Sequence, residues 1–402
     1  MRVVPVLVAM IALLAGCTAT PARTSAAPPS SAAPASRVVA YFADWGVYGR
    51  DFQVRDVDTS GAAGRLTHLV YAFGQVTDGT CATGDAWAAA QKPYAAEDSV
   101  DGVADVPTQV LRGTFGQLRK LKARHPNLRI LWSFGGWTGS RGYTEAARDP
   151  GRFARSCATL LKDPRWAGLF DGIDIDWEYP NACGLECDRS GPLALGALLG
   201  ALRSELGQDA VITAAVPGDI GKLTATDYAG AARAATWLSA MTYDYFGTGD
   251  TPGPTAPHSP LTAYPGIPRE TATADAAVRE LLALGVPRDK VLLGVGFYGR
   301  GWRGVSTAAP GGRASGAAAG SYDKGVEDYE VLRKSCPPTG TAGGTAYAFC
   351  RDQWWSYDTP ETIRTKMAYA RSNGLGGAFA WELSGDTPDA QLVRAMADGL
   401  SG

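Results

Sequence analysis

Residues 170–180 read Phe170-Asp171-Gly172-Ile173-Asp174-Ile175-Asp176-Trp177-Glu178-Tyr179-Pro180. Asp174, Asp176 and Glu178 alternate with Ile173, Ile175 and Trp177. Side chains of a strand point alternately to its two faces, so the acids share one face and the apolar residues the other. The apolar face must be covered by other elements. The acidic face then looks onto the axis and mouth of a barrel, with helices packed outside.

Comparable runs rich in β-branched and aromatic residues recur along the chain. Strands are expected at 38–42, 68–73, 129–133, 172–176, 211–216, 238–242, 291–295 and 377–380. Helical spacing of apolar residues predicts helices at 108–124, 151–162, 192–206, 270–284, 360–372 and 390–400. Eight strands with helical crossovers give an α/β fold, a (β/α)8 TIM barrel. Residues from about 302 to 355 are rich in Gly, Ala, Tyr and Trp and form a small α+β insertion between strands seven and eight.

Composition restricts what such a barrel can do. The 402 residues carry 38 Lys plus Arg against 40 Asp plus Glu, and 45% are apolar, which excludes a disordered chain. With a net charge of −2 and no basic cluster, nucleic acid is not an expected partner. No motif calls for a cofactor, and none is expected. Three scattered histidines, His68, His125 and His258, give no metal-ligand spacing, so no metal is expected either.

The N-terminus reads as an export device. Residues 1–16 combine Arg2, an apolar run from Val6 to Leu14 and small residues, as a signal peptide does; the run is too short to span a bilayer with margin. Leu14-Ala15-Gly16-Cys17 resembles the bacterial lipobox, which implies cleavage before Cys17 and lipidation of its thiol. Residues 17–36 are then a lipidated cysteine and an Ala/Pro/Ser/Thr-rich linker, and 37–402 are the catalytic barrel. The expected location is extracytoplasmic, at the membrane through the lipid alone or released from it. A monomer is expected. The other six cysteines allow three disulfides in fifteen arrangements. Proximity favours Cys183 with Cys187 and Cys336 with Cys350, leaving Cys81 with Cys157.

Same-face residues on one strand are only about 6.6–6.8 Å apart, so three carboxylates on strand four cannot all ionise freely near neutral pH. At least one keeps a proton, which supplies a general acid. The competing readings are a solvated acidic strand or a hard-cation site. Such cations usually take ligands from flexible Asn/Asp/Gly loops, not from acids alternating with bulky apolar residues.

These residues also carry a likeness. Asp171, Asp174, Asp176 and Glu178 match the DxxDxDxE motif, and the chain resembles family 18 of the glycoside hydrolases, the chitinases. Ser133-Phe134-Gly135-Gly136, followed by Trp137, matches the family's SxGG on strand three. Met241-Thr242-Tyr243-Asp244-Tyr245 matches a further motif after strand six. Tyr41-Phe42-Ala43-Asp44-Trp45, Tyr71-Ala72-Phe73, Gly296-Phe297-Tyr298-Gly299-Arg300 and Trp381-Glu382-Leu383 extend the match from strand one to strand eight.

The resemblance implies a chitinase that cleaves β-1,4 links between N-acetylglucosamine units, with retention, by a substrate-assisted route. Glu178 is the implied acid and base, Asp176 the acceptor for the acetamido N–H, and Asp174 the modulator of Asp176. Tyr243 and Asp244 hold the acetamido group and sugar, and Asp171 is structural. Trp381 is the implied floor beneath the cleaved sugar, with Trp137 and Trp45 stacking its neighbours. Tyr41, Phe73 and Met241 shape the acetamide pocket, and Tyr298 and Arg300 a cleft wall. For each aromatic residue, ordinary barrel packing is the alternative.

Ser133, Gly135 and Gly136 are small and fit close packing of strands three and four better than a nucleophile site: SFGG is not GxSxG, and no positioned histidine accompanies it. Gly294-Val295-Gly296 lacks the rest of a dinucleotide fingerprint. Chitin or chitooligosaccharides are the implied partners; the short insertion implies a low cleft wall and speaks against processive exo-action, and with no obvious sugar-binding module at either end, soluble rather than crystalline substrate is expected. Two rivals share the scaffold: an endo-N-acetylglucosaminidase acting on glycans, and a non-catalytic chitin-binding lectin, which typically loses the acid that Glu178 retains.

Overall fold

A computed structural model describes residues 1–7, 36–250 and 252–402. Residues 1–7 are exposed and form no regular secondary structure. Cys17, the linker and most of the expected signal peptide lie outside the described residues.

Residues 36–402 form one compact unit. Its centre is a closed ring of eight parallel strands in chain order: Arg37–Ala43, His68–Thr77, Arg129–Gly135, Gly172–Asp176, Val211–Pro217, Trp237–Met241, Val291–Gly296 and Gly377–Trp381. The eighth pairs with the first, Gly377 opposite Arg37 and Ala380 opposite Ala40, and the first pairs with the second, closing the barrel. Each strand starts within one residue of the run predicted for it, and most extend one to four residues further toward the carboxyl end.

Alternation partitions the core into two layers. On the first strand Val39 and Tyr41 point inward, where they meet Val70, Leu131, Trp237, Leu292 and Phe379. Val38, Ala40 and Phe42 point outward into the core beneath the helices. Buried on both faces, a strand such as Val291–Gly296 reads as a continuous apolar run.

Helices follow every strand. Asp149 caps Pro150–Leu161, Thr273 caps Ala274–Ala283 and Thr359 caps Pro360–Ser372, each side chain accepting from a backbone N–H in the first turn. Gly113–Arg124, Ala194–Leu206 and Gln391–Ser401 complete the long helices, and Val54–Thr59 and Tyr228–Ala234 are short ones. The expected helix at 108–124 begins at Gly113, because Arg112 is extended and Gly113 has φ 65°. Among the described residues, no helix is long and apolar enough to cross a membrane.

Between the seventh and eighth barrel strands, residues 298–357 build a separate antiparallel sheet. Its central strand, Tyr298–Arg303, pairs with Gly316–Ala317, Val326–Asp328 and Gln353–Tyr357, which leads on to Thr345–Cys350 and Gly340–Ala342. Trp302 and Trp354, ring centroids 5.6 Å apart, pack there with Tyr245 and Phe246 from the loop after the sixth barrel strand. The insertion is thereby fixed beside the barrel mouth. Disulfides join Cys81 to Cys157, Cys183 to Cys187 and Cys336 to Cys350, the pairing that proximity favours.

Candidate active site

Register places the acids. Asp174 on the fourth strand lies opposite Ser133 on the third and Thr213 on the fifth. Ser133 donates to its Oδ2 at 2.7 Å, Tyr41 to the same oxygen at 2.9 Å and Thr213 to Oδ1 at 2.5 Å. Burial pushes the Asp174 pKa up, and these three hydroxyls pull against it.

Asp176 is one step nearer the mouth. Burial, then Glu178, then Asp174, pushes its pKa well above the usual carboxylate range. Its Oδ1 is buried without a hydrogen-bond partner. A buried acceptor left open in this way is costly unless a ligand supplies the donor.

Glu178 stands at the strand's end. Burial raises its pKa to about 7; Tyr179 and Lys222 lower it, and Asp244 adds to the rise. The group therefore stays largely protonated up to neutral pH, and Asp176 and Glu178 together favour holding protons over carrying two charges.

The third strand shapes this end through close approach. Gly135 and Gly136 have φ 105° and 79°, and a Cβ on Gly135 would lie 2.2 Å from the Asp176 carbonyl oxygen. A Cβ on Gly136 would lie 2.6 Å from the Phe73 ring. Gly136 N–H donates to that same Asp176 carbonyl at 2.8 Å. Ser140 then links the two strands: its hydroxyl donates toward the Asp176 and Gly136 carbonyls and accepts from Glu178 N–H at 2.8 Å.

After the sixth strand, Tyr243 is half-buried against Phe379 and Tyr298, ring centroids 6.0 and 6.3 Å away. Asp244, in the left-handed region at φ 59°, receives two bonds from Arg300, at 2.7 and 2.6 Å. Desolvation in the cleft opposes ionisation there, but the guanidinium prevails and holds the carboxyl well below its ordinary range. Met241, Tyr243 and Asp244 line a cleft of about 370 Å³ with Glu178, Tyr179 and Lys222.

Aromatic rings pave the other side. Trp381, at the end of the eighth strand, stacks on Phe73 with centroids 5.6 Å apart and meets Tyr41 at 5.4 Å and Trp45 at 6.1 Å. Trp45 and Trp137 remain 44% and 48% exposed, which leaves ring area open to solvent. Asp171 lies at the opposite end of the strand, where it accepts from Lys122 at 2.7 Å, Arg129 at 2.9 Å and Ile130 N–H at 2.8 Å.

The structure thus gathers Glu178, Asp176, Asp174, Tyr243, Asp244, Met241, Tyr41, Phe73, Trp45, Trp137, Trp381, Tyr298 and Arg300 about one mouth, and sets Asp171 apart. Sequence reading missed Ser140, Thr213 and Tyr179. Thr213 left a signal as the one hydroxyl within Val211-Ile212-Thr213-Ala214. Ser140 left none. Among the described residues, no group of three or more His, Cys, Asp or Glu could hold a metal ion.

Chemically, the mouth offers one carboxyl poised near neutrality, a second buried behind it with an open acceptor oxygen, and flat rings for a ligand with apolar faces. The sequence profile of the Glycosyl hydrolases family 18 matches residues 37–386. Chitinase C of Streptomyces lividans is 56% identical over 358 residues, 88% of this chain and 58% of that protein. Chitinase 63 of Streptomyces plicatus is 55% identical over 364 residues, 90% of this chain and 60% of that protein. The chain therefore spans about three fifths of the length of these two relatives. The solved catalytic domain of a psychrophilic chitinase B from Arthrobacter TAD20 superposes with a TM-score of 0.87 at 35% identity, covering 93% of this chain and 98% of that one.

Proposed function

The chain belongs to family 18 of the glycosyl hydrolases, and from that membership we propose that it is a chitinase hydrolysing β-1,4 links between N-acetylglucosamine units with retention of configuration. The observation that carries this reading is the pair at the end of the fourth strand: Glu178 with its pKa raised to about 7, backed by Asp176 with an unpartnered buried oxygen.

Glu178 gives its proton to the glycosidic oxygen as the C1–O bond breaks. The substrate's own 2-acetamido oxygen bonds to C1, forming an oxazolinium-like ring, so no protein carboxylate bonds to carbon. Asp176 Oδ1 accepts the acetamido N–H and stabilises the positive charge on the ring. Tyr243 donates to the acetamido oxygen and orients it, and Asp244, with Arg300, holds the sugar. The Glu178 carboxylate then takes a proton from water as the water oxygen attacks C1 and the bond from C1 to the acetamido oxygen breaks, reopening the ring to the neutral acetamide.

Trp381 forms the floor beneath the cleaved sugar, with Trp45 and Trp137 stacking neighbouring units. Asp174 modulates the charge of Asp176, and Ser133, Gly135 and Gly136 let strand three approach the acidic strand. We place the protein outside the cytoplasm, with residues 1–16 as signal peptide and Cys17 lipidated; three disulfides favour an oxidising compartment. Lipid labelling of wild type against Cys17→Ala tests the anchor, and label on both would contradict it. For the activity, incubation with chitotetraose and with an N-glycan is the test: cleavage of chitotetraose supports the reading, and release only from the glycan overturns it.

A further inference from the structure

On the Trp137 side of Glu178 the cleft has a second wall, made by the loop at 181–190 that follows the fourth strand. Cys183 and Cys187 close it into a five-residue ring. At its base, Asp188 is buried and accepts from Asn181 N–H at 2.8 Å, Ser190 N–H at 3.0 Å, the Thr144 hydroxyl at 2.7 Å and the Ser190 hydroxyl at 2.7 Å. Asn181 Nδ2 donates to the Ala225 carbonyl at 2.7 Å. The loop is fixed before any ligand arrives.

Its tip is pressed against the catalytic strand. A Cβ on Gly184 would lie 2.3 Å from the Glu178 carbonyl oxygen and 3.4 Å from the Trp137 ring, so only glycine lets the ring of residues sit this close. Leu185 is 59% exposed and lines the same cleft as Trp137. Arg141, on the segment after the third strand, meets Glu186 at 2.5 Å across the groove. Trp137, Arg141, Leu185 and Glu186 thus rim a narrow cleft of about 80 Å³ with Glu178 and Tyr179 at its base.

Cross-linking and buried hydrogen bonds hold an exposed leucine in the same cleft as an exposed tryptophan, which is the form of a pre-organised binding edge. We propose that the disulfide-closed tip, Leu185 and Glu186, together with Arg141, forms a clamp on the sugar unit that stacks on Trp137, and so determines specificity for chitooligosaccharides extending past Glu178 on this side. Leu185 covers an apolar edge of the ring, while Arg141 and Glu186 bond to its hydroxyls. The proposal rests on the hydrolase reading for its ligand class.

An exposed ion pair adds little to folding, so tip variants are clean probes. Calorimetric titration with chitohexaose and chitotriose, in a Glu178→Gln background that prevents turnover, measures the clamp as affinity. Leu185→Ala and Glu186→Ala are each expected to weaken chitohexaose binding about three- to tenfold, with a smaller loss for chitotriose. Cys183→Ser/Cys187→Ser is expected to lose at least as much. Affinities within about twofold of the background, or equal losses on both ligands, would overturn the clamp. Failure of the wild type to cleave chitooligosaccharides would contradict the proposed function and leave the affinity result standing.

Discussion

Tyr41 donates a 2.9 Å hydrogen bond to Asp174 Oδ2, the oxygen that also takes the 2.7 Å bond from Ser133. A fully buried carboxyl thus depends on hydroxyls from the first, third and fifth strands. Tyr41→Phe keeps the ring against Trp381 and removes one donor. Stability is expected to fall by about 1–3 kcal/mol and kcat by about tenfold, since Asp174 sets the field on Asp176. Urea unfolding and steady-state kinetics check both. Unchanged values would show that Ser133 and Thr213 suffice.

Glu178→Gln removes the proton that the mechanism needs. Turnover is expected to drop about a thousandfold or more while chitooligosaccharide binding persists. The stability effect has a defined sign. A carboxyl raised from 4.5 to about 7 contributes stability below its ordinary pKa and loses it as pH rises through about 7. The variant cannot ionise, so it is expected to melt a few degrees above wild type at pH 8 and level with it at pH 4. Thermal scans at the two pH values decide this, and a variant less stable at pH 8 would contradict the burial argument.

Arg300 compensates the charge of Asp244, which itself raises the Glu178 pKa. Arg300→Ala leaves that charge uncompensated. The alkaline limb of the kcat profile is expected to move upward by about half a pH unit to one unit, with kcat/KM reduced. A downward shift would mean that Arg300 does not act through this pair.

At the far end of the same strand, Lys122 and the Ile130 N–H, with Arg129, outweigh burial and hold the Asp171 carboxyl below its ordinary 3.8. A lowered carboxyl contributes stability above that value and loses it as pH falls through the folded one. Asp171→Asn is expected to cost about 1 kcal/mol at pH 7, after allowance for solvent screening, and measurably less at pH 3, with kcat intact. Denaturant titration at both pH values reads the difference. A large loss of kcat would give Asp171 a role beyond structure.

Much of this was legible in the chain because both faces of a parallel barrel strand are buried. Such strands read as short apolar runs, and Asp174, Asp176 and Glu178 stand out within one of them. Val54–Thr59 and Tyr228–Ala234 were not legible: helices of six and seven residues are too short to show a period. Asp244 was marked as a sugar contact by its motif, but its pairing with Arg300 spans 56 residues and depends on where the inserted sheet packs. Ser140 acts through backbone carbonyls, which no side-chain pattern reports. The cis peptides at Ala72–Phe73, Glu178–Tyr179 and Trp381–Glu382 likewise involve no proline.

The claim beneath all of these is that the sugar's acetamido oxygen, and no enzyme carboxylate, attacks C1. Rates for two aryl chitobiosides, one with the N-acetyl group and one with N-trifluoroacetyl on the cleaved sugar, test it directly. Fluorination weakens the oxygen as a nucleophile, so the account predicts a fall of about tenfold or more in kcat/KM. Equal rates for the two substrates would contradict it.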